Sequence, residues 1–198
     1  MTNKSGLFLI TISLMMITNC SDNVSGTDDP DKPGSHNLEF SISGDVEDEK
    51  TGIIGFFGAG ESSFANESDH MWQLLSEDSD PGPQTFRLDF IYMDLDEKVS
   101  RPVPGTYDVG SISYTEDPDS PVFTVSYVNT QQSIAYSSAF AEICGEEYAH
   151  TGTLTIDTST EELVTGKFAF DAFACDQGSI SATINLTGEF TAPRLDLQ

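Results

Sequence analysis

Residues 38–198 are predicted to fold as one all-β domain, an antiparallel β-sandwich or alternatively a small β-barrel, and three observations predict it. Apolar residues recur at every second position, the period of a strand with one buried face. Turn clusters separate these runs at Asp80-Pro81-Gly82-Pro83, Pro102-Val103-Pro104-Gly105 and Asp117-Pro118-Asp119-Ser120-Pro121. Nowhere in this range do apolar residues hold the i, i+3, i+4, i+7 spacing of an amphipathic helix over three turns. Periodicity alone does not separate a sandwich from a barrel.

Leu38, Phe40 and Ile42 are the inward positions of a first strand. Gly55-Phe56-Phe57-Gly58-Ala59-Gly60 lacks the order of a dinucleotide loop and reads as a strand with a tight backbone approach, or as a bulge. In the stretch 67–75, Met71, Leu74 and Leu75 fit one helical face, but the assignment is a strand with Trp72 and Leu74 inward. Alternation returns at Phe86, Leu88 and Phe90, and again at Phe123, Val125 and Tyr127. It then runs through Leu154 and Ile156, through Val164, Phe168 and Phe170, and through Ile180, Ala182, Ile184 and Leu186.

Thr158-Ser159-Thr160-Glu161 is a short polar connection suited to a hairpin between the strands of Leu154 and Phe168. Antiparallel partners have residue numbers with a constant sum, and the inward residues here are all even, so that sum is even. Cys144 and Cys175, an even pair left for an oxidising compartment, are expected to form a disulfide. It closes a loop of about 30 residues, for which chain entropy gives roughly 3 to 4 kcal/mol. Their numbers sum to an odd value. A β-bulge, or a cysteine placed in a loop beyond the ladder, is therefore expected.

The region also carries a resemblance. Gly152-Thr153-Leu154-Thr155-Ile156, Val164-Thr165-Gly166-Lys167-Phe168-Ala169-Phe170 and Gly188-Glu189-Phe190 resemble the closing strands of uncharacterised β-rich lipoproteins of Bacteroidota and related bacteria. Phe40-Ser41-Ile42-Ser43-Gly44 and Gly105-Thr106-Tyr107 are similar to upstream strands of the same proteins. The resemblance implies a fold and an envelope compartment, and it carries no catalytic residues.

The N-terminus fits that compartment. Lys4 precedes an apolar run from Gly6 to Ile17, shorter than the roughly 20 residues a transmembrane helix needs and within the range of a signal-peptide core. Ile17-Thr18-Asn19-Cys20 resembles a bacterial lipobox, with Asn19 in place of the usual small residue. Residues 1–19 are thus expected to be a lipoprotein signal peptide, with Cys20 acylated and anchored to the membrane. Residues 20–37 are expected to be a flexible tether, since Ser21 to His36 hold one aliphatic residue, Val24. The protein is expected at the cell envelope, on the outer membrane, facing the periplasm or the surface.

A formal net charge of −25 excludes nucleic acid as a partner and repels anionic lipid surfaces, so attachment falls to the lipid. No Gly-x-Ser-x-Gly elbow, His-Glu-x-x-His pair or phosphate loop is present, and no enzyme activity is expected. His36, His70 and His150 show no metal-ligand spacing. No cofactor is expected, although Asp94-Leu95-Asp96-Glu97 and Glu116-Asp117-Pro118-Asp119 are candidate calcium segments. Two function classes emerge: a non-catalytic module binding a glycan, peptide or protein, and a structural envelope protein. A barrel holding an apolar ligand is a third. For the first, Trp72 with Tyr92, Tyr107, Tyr114, Tyr127, Tyr136 and Tyr148 is the stock for a sugar platform, weighed against a plain core role.

Overall fold

The structure, a computed structural model, describes residues 36–57, 71–78, 84–93, 98–111, 122–144 and 150–195. Cys20, the signal-peptide segment, Tyr114, Tyr148 and both candidate calcium segments lie outside these residues.

Among the described residues ten strands and one helical turn are formed, in the order β1 (Leu38–Gly44), β2 (Asp48–Phe57), β3 (Met71–Asp78), β4 (Phe86–Met93), β5 (Gly105–Val109), β6 (Val122–Asn129), β7 (Ile134–Ser137), α1 (Phe140–Ile143), β8 (Gly152–Ser159), β9 (Leu163–Asp176) and β10 (Ser179–Pro193). The all-β class is as the sequence predicts. The strands form one sheet in the order β10-β1-β2-β3-β4-β6-β5-β8-β9-β7, and a further β9–β10 pairing closes it into a ring. Every pairing between these strands is antiparallel except β5–β6, which is parallel through Asp108 and Val109.

Elsewhere in the ring the single edge of β6 is shared. Its first residues pair with β5 and its last four with β7, and β7 in turn meets β9 at Phe173. Such a handover leaves backbone groups without ladder partners, and buried hydroxyls take them up. Ser138 Oγ donates to the Gly110 carbonyl at 2.8 Å and accepts from the Val125 amide at 3.0 Å. Thr124 donates to the Gly110 carbonyl at 3.2 Å, and the Thr151 hydroxyl joins its own backbone amide on the Val109 carbonyl.

The predicted inward residues fill the interior. Phe40, Phe86, Leu88, Phe90, Tyr127, Leu154, Phe168 and Leu186 are all buried, while Ile180 and Ala182 are half-buried near the β9–β10 turn. Rings from facing walls touch, with centroids of Phe90 and Phe168 at 5.1 Å and of Phe40 and Phe86 at 5.2 Å.

The Gly-x-Phe repeats acquire a physical meaning from the register. Gly166 pairs with Phe190, and Gly188 with both Phe168 and Phe40. A Cβ on Gly188 would stand 2.4 Å from the Glu39 carbonyl oxygen and 2.8 Å from the Phe168 ring. A Cβ on Gly166 would stand 2.2 Å from the Thr155 carbonyl oxygen and 3.0 Å from the Phe190 ring. Each glycine is the floor on which the partner strand's ring lies.

The hairpin arithmetic is resolved as well. From Gly152–Phe170 to Ile156–Gly166 the β8–β9 sum is constant and even, and a register shift occurs at the turn side of Ile156. Cys175 lies on β9, whereas Cys144 caps α1, off the ladder, so the odd sum arises from a cysteine beyond the strands. Their Cα atoms are 6.2 Å apart, within the span a disulfide bridges, and the pair fastens α1 to β9.

Candidate functional site

Trp72 requires a correction. It sits inward on β3 with no exposed surface, its ring 6.0 Å from Phe56 and 6.1 Å from Phe123. A sugar platform needs an indole face in water, and this one is spent on the core. Tyr127 and Tyr136 are buried too, and burial chiefly pushes the Tyr127 hydroxyl up to about 12. Tyr92 and Tyr107 are half-buried against Phe123, at 5.8 and 5.5 Å, and the Tyr107 hydroxyl donates to the Val103 carbonyl. The described aromatic side chains of that stock therefore belong to the interior, and Trp72 is no ligand site in this arrangement.

The surface feature with a shape of its own lies on the opposite side of the wall. Along β8, β9, β10 and β1 the residues between the inward ones point out, and the register stacks them into rows across the strands. One row runs Glu39, Glu189, Lys167, Thr155 over β1, β10, β9 and β8. The next runs Glu49, Ser41, Thr187, Ala169, Thr153 over β2, β1, β10, β9 and β8. Long charged side chains stand in the first row, and from Ser41 to Thr153 the second holds only short ones. Together they form a trough of about 550 Å³ running across five strands. A second hollow of about 360 Å³ continues past Glu39 and Glu189 to His36, Asp157 and Thr191.

The electrostatics of the trough are unbalanced. Glu39 and Glu189 face each other directly across the β1–β10 pair, an arrangement of like charges that costs stability. Elsewhere Lys50 is occupied by Asp48 at 2.8 Å and Arg87 by Asp89 at 2.6 Å. The Lys50 hydrogen bond holds the Asp48 carboxyl below its usual range. Lys167 makes no ion pair among the described residues, nor do Glu39, Glu49 and Glu189. Three carboxylates and one amine thus line a hydroxyl-rich floor. No three Asp, Glu, His or Cys side chains among the described residues converge as a metal group. His150 and Asp108 approach to 3.5 Å, and both are exposed.

Sequence reasoning passed over these residues because it followed the inward positions. The alternation marks Glu39, Thr155, Lys167, Thr187 and Glu189 as outward. Only the β1–β10 pairing, which joins residues some 150 positions apart in the chain, sets Glu39 beside Glu189 in one row and Ser41 beside Thr187 in the next.

No helix among the described residues is long and apolar enough to cross a membrane. Comparison with protein-family models, with curated proteins and with solved structures returned no match.

Proposed function

We propose that this chain is a membrane-anchored, extracytoplasmic binding module without catalytic activity, acylated at Cys20 and recognising a polar partner through the trough on its outer face. The observation that carries the reading is a hollow of about 550 Å³ whose charges find no ion-pair partner among the described residues. A surface with no outside role gains nothing from Glu39 facing Glu189, whereas a partner offering donors or positive charge relieves that cost. Aromatic rings meeting across the interior count against an apolar ligand held inside the ring.

The test joins a glycan array and a peptide array, probed with the full chain and with Thr187→Tyr, which fills the floor without changing charge. Saturable binding that Thr187→Tyr abolishes is the expected outcome. No ligand, or binding indifferent to that change, defeats it and selects the structural envelope role. Anchoring is tested separately: a labelled fatty acid is expected on the wild-type chain and absent from Cys20→Ala, and an unlabelled wild type overturns acylation.

A further inference from the structure

With the trough as the recognition surface, on which the choice of partner rests, its dimensions and charges select a class of ligand. Its axis crosses β2, β1, β10, β9 and β8, so four inter-strand spacings of about 4.8 Å give it a length of ~19 Å. An extended chain rising about 3.3 Å per residue covers that length with ~6 residues. Same-side side chains of such a chain stand ~6.6 Å apart, between one and two of the ~4.8 Å steps from strand to strand, so its charges are spread along the trough and do not meet at a single point.

The charge is spread in the same way. Glu39 and Glu189 are neighbours in one row, with Lys167 on the far side of Glu189, and Glu49 stands in the next row, two strands from Glu189, so the trough holds three carboxylates against one amine. The absence of any convergent group of three ligands among the described residues makes this a poor seat for one divalent ion. Separate carboxylates in a shallow hollow suit separate ammonium or guanidinium groups on one flexible strand, each keeping part of its water. On the floor the Ser41 hydroxyl donates to the Thr187 carbonyl and the Thr187 hydroxyl to Asn185 Oδ1, so these two offer acceptor oxygens to the backbone amides of that strand, with no bulky side chain in the way. We infer that the trough takes an extended, lysine- or arginine-bearing segment of a partner protein, laid across the strands with its cations on Glu39, Glu189 and Glu49.

The protein carries a large excess of negative charge, so the experiment must separate a site from a diffuse field. Fluorescence anisotropy is read on three labelled hexapeptides, one alternating lysine with alanine, one glutamate with alanine and one serine with asparagine. They are titrated with the full chain, with Glu39→Gln/Glu189→Gln, with Glu161→Gln/Glu162→Gln on the exposed β8–β9 turn, and with Thr187→Tyr, each checked for unchanged melting. The lysine peptide alone is expected to saturate. Its affinity falls by about ten-fold or more in Glu39→Gln/Glu189→Gln and stays within about two-fold in the turn variant, which removes the same charge. Equal losses in the two double variants would overturn the inference as non-specific attraction. If all three peptides bind and all are lost with Thr187→Tyr, the trough stands and the cationic assignment falls. Lysine-peptide binding untouched by Thr187→Tyr removes the trough itself.

Discussion

Two stretches of the ring wall share the same inward pattern and differ on the outside. On β8, β9, β10 and β1 the outward residues, from Thr153 through Lys167 and Thr187 to Glu39, lie in water or half in it. On β3, β4 and β6 the outward residues Gln73, Asp89 and Thr124 are polar as well, yet all three are buried. A solvated polar side chain needs nothing from the protein, whereas a covered one must find a partner or bear a desolvation cost. Thr124 finds the Gly110 carbonyl, and Asp89 finds the Arg87 guanidinium for one oxygen while Oδ1 has no hydrogen-bond partner among the described residues. The first wall is free to act on the outside, and the second is committed to holding itself together.

The largest effect expected from breaking this contrast lies between both walls. Phe90→Ala removes a ring that touches Phe168, Phe170 and Phe190, and about 3 to 5 kcal/mol of unfolding free energy should go with it in urea denaturation. Lys167→Ala on the exposed wall should stay within about 0.5 kcal/mol. Next comes Gly188→Ala, whose added carbon meets backbone and an aromatic ring at once. About 1 to 3 kcal/mol of destabilisation is expected, and an unchanged denaturation midpoint would show that the glycine-ring pairing is dispensable.

The smallest effect concerns Asp89 and is read against pH. Burial pushes its carboxyl above the ordinary value, with Arg87 pulling the other way. The native state then holds the proton to a higher pH than the unfolded chain does. The associated stability is fully present below the unfolded value of 3.8 and is lost as pH rises through the raised native value. Asp89→Asn is expected to flatten that slope and to raise the denaturation midpoint at neutral pH. A lower midpoint would mean that the ion pair with Arg87 outweighs the desolvation.

Much of the core was legible because burial on one side of a strand imposes a period of two. Leu38, Phe86, Val125 and Leu154 are buried where that period puts them, and Trp72 and Leu74 turn inward as expected. β7 and α1 were not legible. Four residues reading Ile-Ala-Tyr-Ser are too short to show a period, and α1 is a single turn held between β7 and β9. The charged opening of β2, Asp48 to Thr51, also hides its strand, because its ladder partner β1 supplies what its own side chains do not. The outer trough was least legible. Its members are ordinary threonines and glutamates, and pairings distant in sequence alone give them neighbours.

Closing the ring through β1 and β10 also sets an order of assembly. β1 lies between β2 and β10, so the first described strand receives one partner from the next segment of chain and the other from the last. A polypeptide made from its N-terminus holds β1 with one bare edge until residues 179–193 arrive, and Phe40 and Phe168 wait for the glycine on which both rings rest. That delay favours slow folding of high contact order and leaves an unsatisfied edge open to other chains. Arrival of β10 caps the edge and seats the rings in one step, making it the strand on which the described ring waits.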